Sequence, residues 1–124
     1  MSRTAAISND GPLTADCPCR VVFDHLTSRW SLLVLLALSD GVLRFHALRD
    51  RVEGISEKML SQSLKTLVRD GRVVRHVEPT VPPKVSYELT RLGEEVSEPL
   101  RQVSEWIGRR IDDIKIAQTH YDAA

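Results

Sequence analysis

Residues 54–71, GISEKMLSQSLKTLVRDG, decide the fold. Ser56 stands where a helix N-cap accepts a backbone N–H, and Gly71 offers the left-handed conformation that ends a helix. Between them Leu60, Leu64, Leu67 and Val68 recur at intervals of three and four and predict an inward stripe. The outward face reads Glu57, Lys58, Ser61, Gln62, Lys65 and Thr66. Just upstream, Phe45, Leu48 and Val52 also fall at helical spacing, with Arg44, Arg49 and Arg51 outside and a tight turn at Glu53-Gly54. Two helices joined this closely predict a helix-turn-helix over residues 44–70.

After Gly71 the period drops to two: Val73, Arg75 and Val77 alternate with Val74, His76 and Glu78. A second alternating run, Lys84 to Leu89, follows a segment holding three prolines, so residues 72–89 predict a β-hairpin. Upstream of residue 44, Pro18 suits the first turn of a helix carrying Val21, Val22 and Leu26. Thr27 or Ser28 then caps a helix through Trp30, Leu33, Val34, Ala37 and Leu38, with Leu32, Leu35 and Leu36 on its other side. Apolar all round, this helix is the expected centre of the core. From Thr90 the helical period returns through Leu92, Val96, Leu100, Val103, Ile107, Ile111 and Ile114. Pro99 predicts a break or kink near Glu98 and a longer final helix beyond it.

Length and composition bound these assignments. A chain of 124 residues, 42% hydrophobic and 27% charged, suits one modest globular domain. No apolar run is long enough to span a bilayer and the N-terminal residues lack a leader's apolar centre, so the cytoplasm is expected. The formal net charge is zero, yet residues 44–91 hold ten basic and six acidic side chains while the flanks are acidic. A basic centre is what presenting one face to phosphates requires.

The expected fold is therefore mainly α with a small β-hairpin (α+β), a winged helix-turn-helix. Residues 1–16 form a flexible N-terminal arm and residues 17–124 the domain, with the wing at 72–89 and dimerisation helices at 91–121. In such a domain the second helix of the helix-turn-helix enters the major groove of double-stranded DNA. Gln62 suits an adenine edge, Lys58 and Lys65 suit guanine or phosphate, and Ser56, Ser61 and Thr66 are short donors beside Glu57. Arg75, His76 and Lys84 on the wing, with Arg44 and Arg49 from the preceding helix, would hold the backbone. The C-terminal stripe exceeds what a small core covers. A second copy is its expected cover, across Val21, Val22, Leu100, Val103, Trp106, Ile107, Ile111 and Ile114.

The chain resembles the HxlR-type winged-helix regulators of bacteria, within the MarR-like superfamily. The likeness lies in Cys17-Pro18, Trp30 with its Leu-rich helix, Leu43-Arg44-Phe45, Gly54 to Leu60, Asp70-Gly71, Val81 to Val85 and Tyr87 to Thr90. His46, where Asn is usual, and Arg72, where Leu is usual, depart from the pattern. The resemblance implies a homodimer that binds a palindromic operator and represses nearby genes. It also implies, for some members, that a cysteine at the position of Cys17 senses oxidants or electrophiles.

Only Cys17 and Cys19 are present, and no His or carboxylate spacing completes a zinc set, so neither metal nor cofactor is expected. A helix N-terminus favours thiolate at Cys17, although Asp16 opposes it. Cys19 is placed to resolve an oxidised Cys17, but one intervening Pro predicts strain in a direct bridge. Without a phosphate loop or a nucleophile-base pair, an enzyme is not expected. Two alternatives stay open: control by a small ligand between core and dimer helices, and a winged-helix module that binds protein.

Overall fold

The structure, a computed structural model, describes residues 11–124. Residues 1–10 of the expected arm lie outside the described residues. The remainder of that arm is shaped: a 3-10 turn over Gly11–Leu13 precedes the first helix, and Arg20 donates to the carbonyls of Pro12 and Leu13.

Helix α1 spans Pro18–Thr27 and α2 spans Arg29–Leu38. The two meet at a bend of 70°. Strand β1, Leu43–Arg44, leads directly into α3, Phe45–Arg51. Helix α4 covers Glu57–Arg69, strands β2 and β3 cover Val73–Glu78 and Lys84–Leu89, and α5 covers Arg91–Ala123. Among these helices none is long and apolar enough to cross a membrane alone.

The core sits where α2, α4 and the base of the sheet converge. Leu35, Leu38, Leu48, Leu60, Leu67, Val34 and Val73 are fully buried there. At roughly 1.5–3 kcal/mol for each large apolar side chain removed from water, this cluster is the main stabilising element. Two inward assignments need correction: Val68 is 38% exposed and Leu33 37%, while Ser63 and Ser31 take the inward positions. The four-residue stripe is wider than the contact α4 makes, and Val68 falls on its edge.

Helix α4 begins as its residues predict, with the Met59 N–H donating to Ser56 Oγ at 3.1 Å. It ends at Gly71, φ +76°, where the Gly71 N–H donates to the Val68 carbonyl and the Arg72 N–H to the Leu67 carbonyl. Those two bonds satisfy carbonyls left over by the helix and turn the chain into β2.

The sheet is antiparallel, in the order β1-β3-β2, with Leu43 opposite Tyr87 and Val73 opposite Leu89. Strand β1 was not expected; two residues carry no visible alternation. Beyond Val73 every residue of β2 is exposed, so the hairpin leaves the core and projects as a wing.

The predicted break near Glu98 is absent. Helix α5 runs unbroken through Pro99, which is exposed. Proline removes one bond, to the Glu95 carbonyl, and at an exposed position water can take its place while the ladder continues on both sides. Thr90 starts this helix: its hydroxyl accepts from the Gly93 N–H and donates to the Gly71 carbonyl.

Candidate nucleic-acid interface

Helix α4 and the wing meet at a basic pocket, lined by Lys65 and Arg69 from one and Arg75 from the other. On α4, Glu57, Lys58, Gln62 and Lys65 are exposed, and Ser61 and Thr66 are half-buried at its margin. Arg75 and Lys84 project from the wing, and Arg44 stands exposed at the N-cap of α3. Arg44, Lys58, Lys65, Arg69, Arg75 and Lys84 have no carboxylate partner among the described residues. Cations without internal partners suit a surface whose counter-charge comes from outside.

Four of the expected contact residues are engaged within the chain. Arg49 Nη1 donates to Glu57 Oε2 at 2.5 Å, tying α3 to the first turn of α4. His76 Nε2 lies 2.9 Å from Glu88 Oε1 across the hairpin. Arg49 and Glu57 therefore compensate each other's charge, and His76 is held to Glu88 by a hydrogen bond. Ser56, as the cap of α4, is likewise committed to its own backbone.

Arg69 was overlooked by sequence reasoning. It lies four residues after Lys65 and lines one pocket with Lys65 and Arg75. The signal was present as an i, i+4 basic pair on the exposed face.

Away from this surface, His25 Nδ1 lies 2.6 Å from Asp70 Oδ2, a part-buried pair that joins α1 to the end of α4. No local pattern in the sequence marks this pair, because the partners lie 45 positions apart. The sulfurs of Cys17 and Cys19 are joined as a disulfide, with Cα atoms 5.3 Å apart. The direct bridge is therefore within reach across Pro18, and its Cα separation lies within the ordinary range for disulfides. Cys17 is buried where α1 begins.

Apolar side chains also lie open to solvent on α1 and α5. Val21, Phe23, Val103, Trp106, Ile107 and Ile111 are exposed. Val22 and Ile114 are half-buried, and Leu100 packs against the core of its own chain.

Comparison with known proteins gives one consistent result. Residues 25–115 match the model of the HxlR-like helix-turn-helix family. The chain is 47% identical over 106 residues to an Escherichia coli protein described as an uncharacterised HTH-type transcriptional regulator, YtfH, covering 85% of this chain and 84% of that one. A solved structure of a ytfH regulator from Salmonella typhimurium superposes with a TM-score of 0.80 at 45% identity, covering 87% of this chain and 96% of the other. The redox regulator HypR, in its reduced form, superposes with a TM-score of 0.73 at 32% identity, covering 79% and 97%.

Proposed function

The chain belongs to the HxlR-like helix-turn-helix family of DNA-binding transcriptional regulators, and from that premise we propose a homodimeric repressor whose hold on a palindromic operator is set by the redox state of Cys17 and Cys19. One observation carries the DNA contact: α4 and the wing carry five exposed cations without a carboxylate partner among the described residues, and three of them, Lys65, Arg69 and Arg75, line one pocket where the two elements meet. Lys58, Gln62 and Lys65 read base edges, and Arg44, Arg75 and Lys84 hold backbone phosphates. The exposed apolar faces of α1 and α5 meet their equivalents in a second copy, which places two α4 helices roughly 34 Å apart, one turn of DNA. Such a protein works in the cytoplasm.

The Cys17–Cys19 bridge supports a switch. Structural disulfides are rare in reducing compartments, so a CPC disulfide there is a redox couple. On oxidation, the two thiols give up two electrons and two protons to an oxidant such as diamide, which becomes the corresponding hydrazine. The bridge sits at one end of α1, and His25 near the other end holds Asp70 at the end of α4. A shift of α1 therefore reaches the recognition helix directly.

Fluorescence anisotropy with fragments from upstream of the protein's own gene tests the DNA contact. Affinity is expected to fall steeply with salt, roughly 0.9 decades per decade of salt for each phosphate neutralised. Diamide is expected to release the operator from the native protein and not from Cys17→Ser. A protein that binds none of these fragments at low salt would sink the proposal, whereas equal release from Cys17→Ser would remove the switch alone.

A further inference from the structure

Met59 is the one large apolar side chain that the first half of α4 leaves exposed. It is 36% exposed, on a face otherwise made of Glu57, Lys58, Gln62 and Lys65. The core has no use for it, because Leu60, Ser63, Leu64 and Leu67 fill the buried side of the helix. Its place is closely fixed. The Met59 N–H donates to Ser56 Oγ at 3.1 Å and Arg49 holds Glu57 at 2.5 Å, so the first turn of α4 is tied to its own cap and to α3. At about 100° per residue, Met59 stands about 60° around the helix from Gln62. Met59, Gln62 and Thr66 follow one another at intervals of three and four and form one row.

A single exposed methionine is ordinary on a protein surface; this one is set apart by its position. In a helix-turn-helix the N-terminal residues of the second helix face the base edges, and Met59 is the third residue of α4. Phosphates and the hydrogen-bonding atoms of bases gain nothing from a thioether. The major groove offers one methyl group, at C5 of thymine. Packing it on Met59 removes two apolar surfaces from water at once, and an unbranched side chain adapts its shape to such a contact. We infer that Met59 is a specificity-determining residue that packs on the C5-methyl of a thymine beside the base that Gln62 reads. Val68, the other exposed apolar residue of α4, lies in its last turn beside the sheet and takes no such role. The role of Met59 rests on the DNA contact proposed above and adds to it the identity of one base.

Fluorescence anisotropy with the upstream fragment that the protein binds tests this contact. Each thymine of the half-site is replaced in turn, in both half-sites, by deoxyuridine, which keeps every hydrogen-bonding atom and lacks only the methyl. At one position the replacement is expected to weaken native binding about tenfold, the loss of one methyl contact in each half-site. Met59→Ala, a change at an exposed position, should bind the thymine and deoxyuridine fragments equally there, and Met59→Gln should do the same. Met59→Leu should keep a severalfold preference for thymine. Lys65→Ala should weaken both fragments alike and leave the native ratio intact, which separates a methyl contact from a general loss of affinity. Native indifference to every deoxyuridine, or an undiminished preference in Met59→Ala, would overturn the role of Met59 and leave the regulator standing. A protein that binds no fragment at low salt loses both.

Discussion

Gly93 has no room for a side chain. A Cβ there would collide with the Arg72 carbonyl, which already accepts the Thr90 N–H at 3.0 Å. Because that neighbour is backbone, the clash cannot be relieved by a rotamer change. Gly93→Ala is therefore expected to cost about 1–3 kcal/mol or more, read as a lower urea midpoint at fixed protein concentration. At Ser56 the loss is of a different kind: Ser56→Ala removes the acceptor for the Met59 N–H, at a cost of about 1 kcal/mol. An unchanged melting transition for Ser56→Ala would show that the cap contributes nothing. The two residues differ in how visible they were. Ser56 and Gly71 act on their own helix, and their chemistry was legible from neighbours in the chain. Gly93 and the His25–Asp70 pair depend on segments brought together only by folding, so no local pattern marks them.

Helix α5 shows the same division among elements. Its stripe gave the helix, but Pro99 suggested an interruption that the structure does not contain. The missing hydrogen bond still has a cost. Proline in a helix interior is about 3 kcal/mol worse than alanine, and its stiffening of the unfolded chain returns up to about 1 kcal/mol. Pro99→Ala should accordingly stabilise the protein by about 2 kcal/mol in urea unfolding. A variant no more stable than the native protein would mean that α5 has adapted fully to its proline. The strands were legible in proportion to their length. β2 and β3 alternate over six residues each, whereas β1 is two residues held by pairing with Ser86 and Tyr87. Of the interface, the α4 face was readable from period alone, but the pairing of Arg49 with Glu57 and of His76 with Glu88 was not, because charge pattern does not reveal which charges meet.

For the molecule as a whole, the open question of covering α5 decides the assembly. Trp106 is 50% exposed, Val103 55% and Ile107 44%, on a helix that extends well past the core. Ile116 is also exposed, but at roughly 100° per residue it lies on the opposite side of α5 from Ile107. That geometry gives a paired test. Val103→Glu combined with Ile107→Glu places two charges on one side of α5, where a partner helix would pack, and burying an unpaired charge is prohibitive. The double variant should sediment as a monomer, while Ile116→Glu should retain the mass of the dimer proposed above. Operator affinity should follow assembly. Linking two half-site contacts raises affinity over one by roughly 10²–10⁴-fold, so the monomer should bind a palindrome at least about a hundredfold more weakly, with half the salt slope. Should the double variant stay dimeric, or Ile116→Glu dissociate as readily, the interface does not lie on this side of α5, and the spacing of the two recognition helices would have to come from another surface.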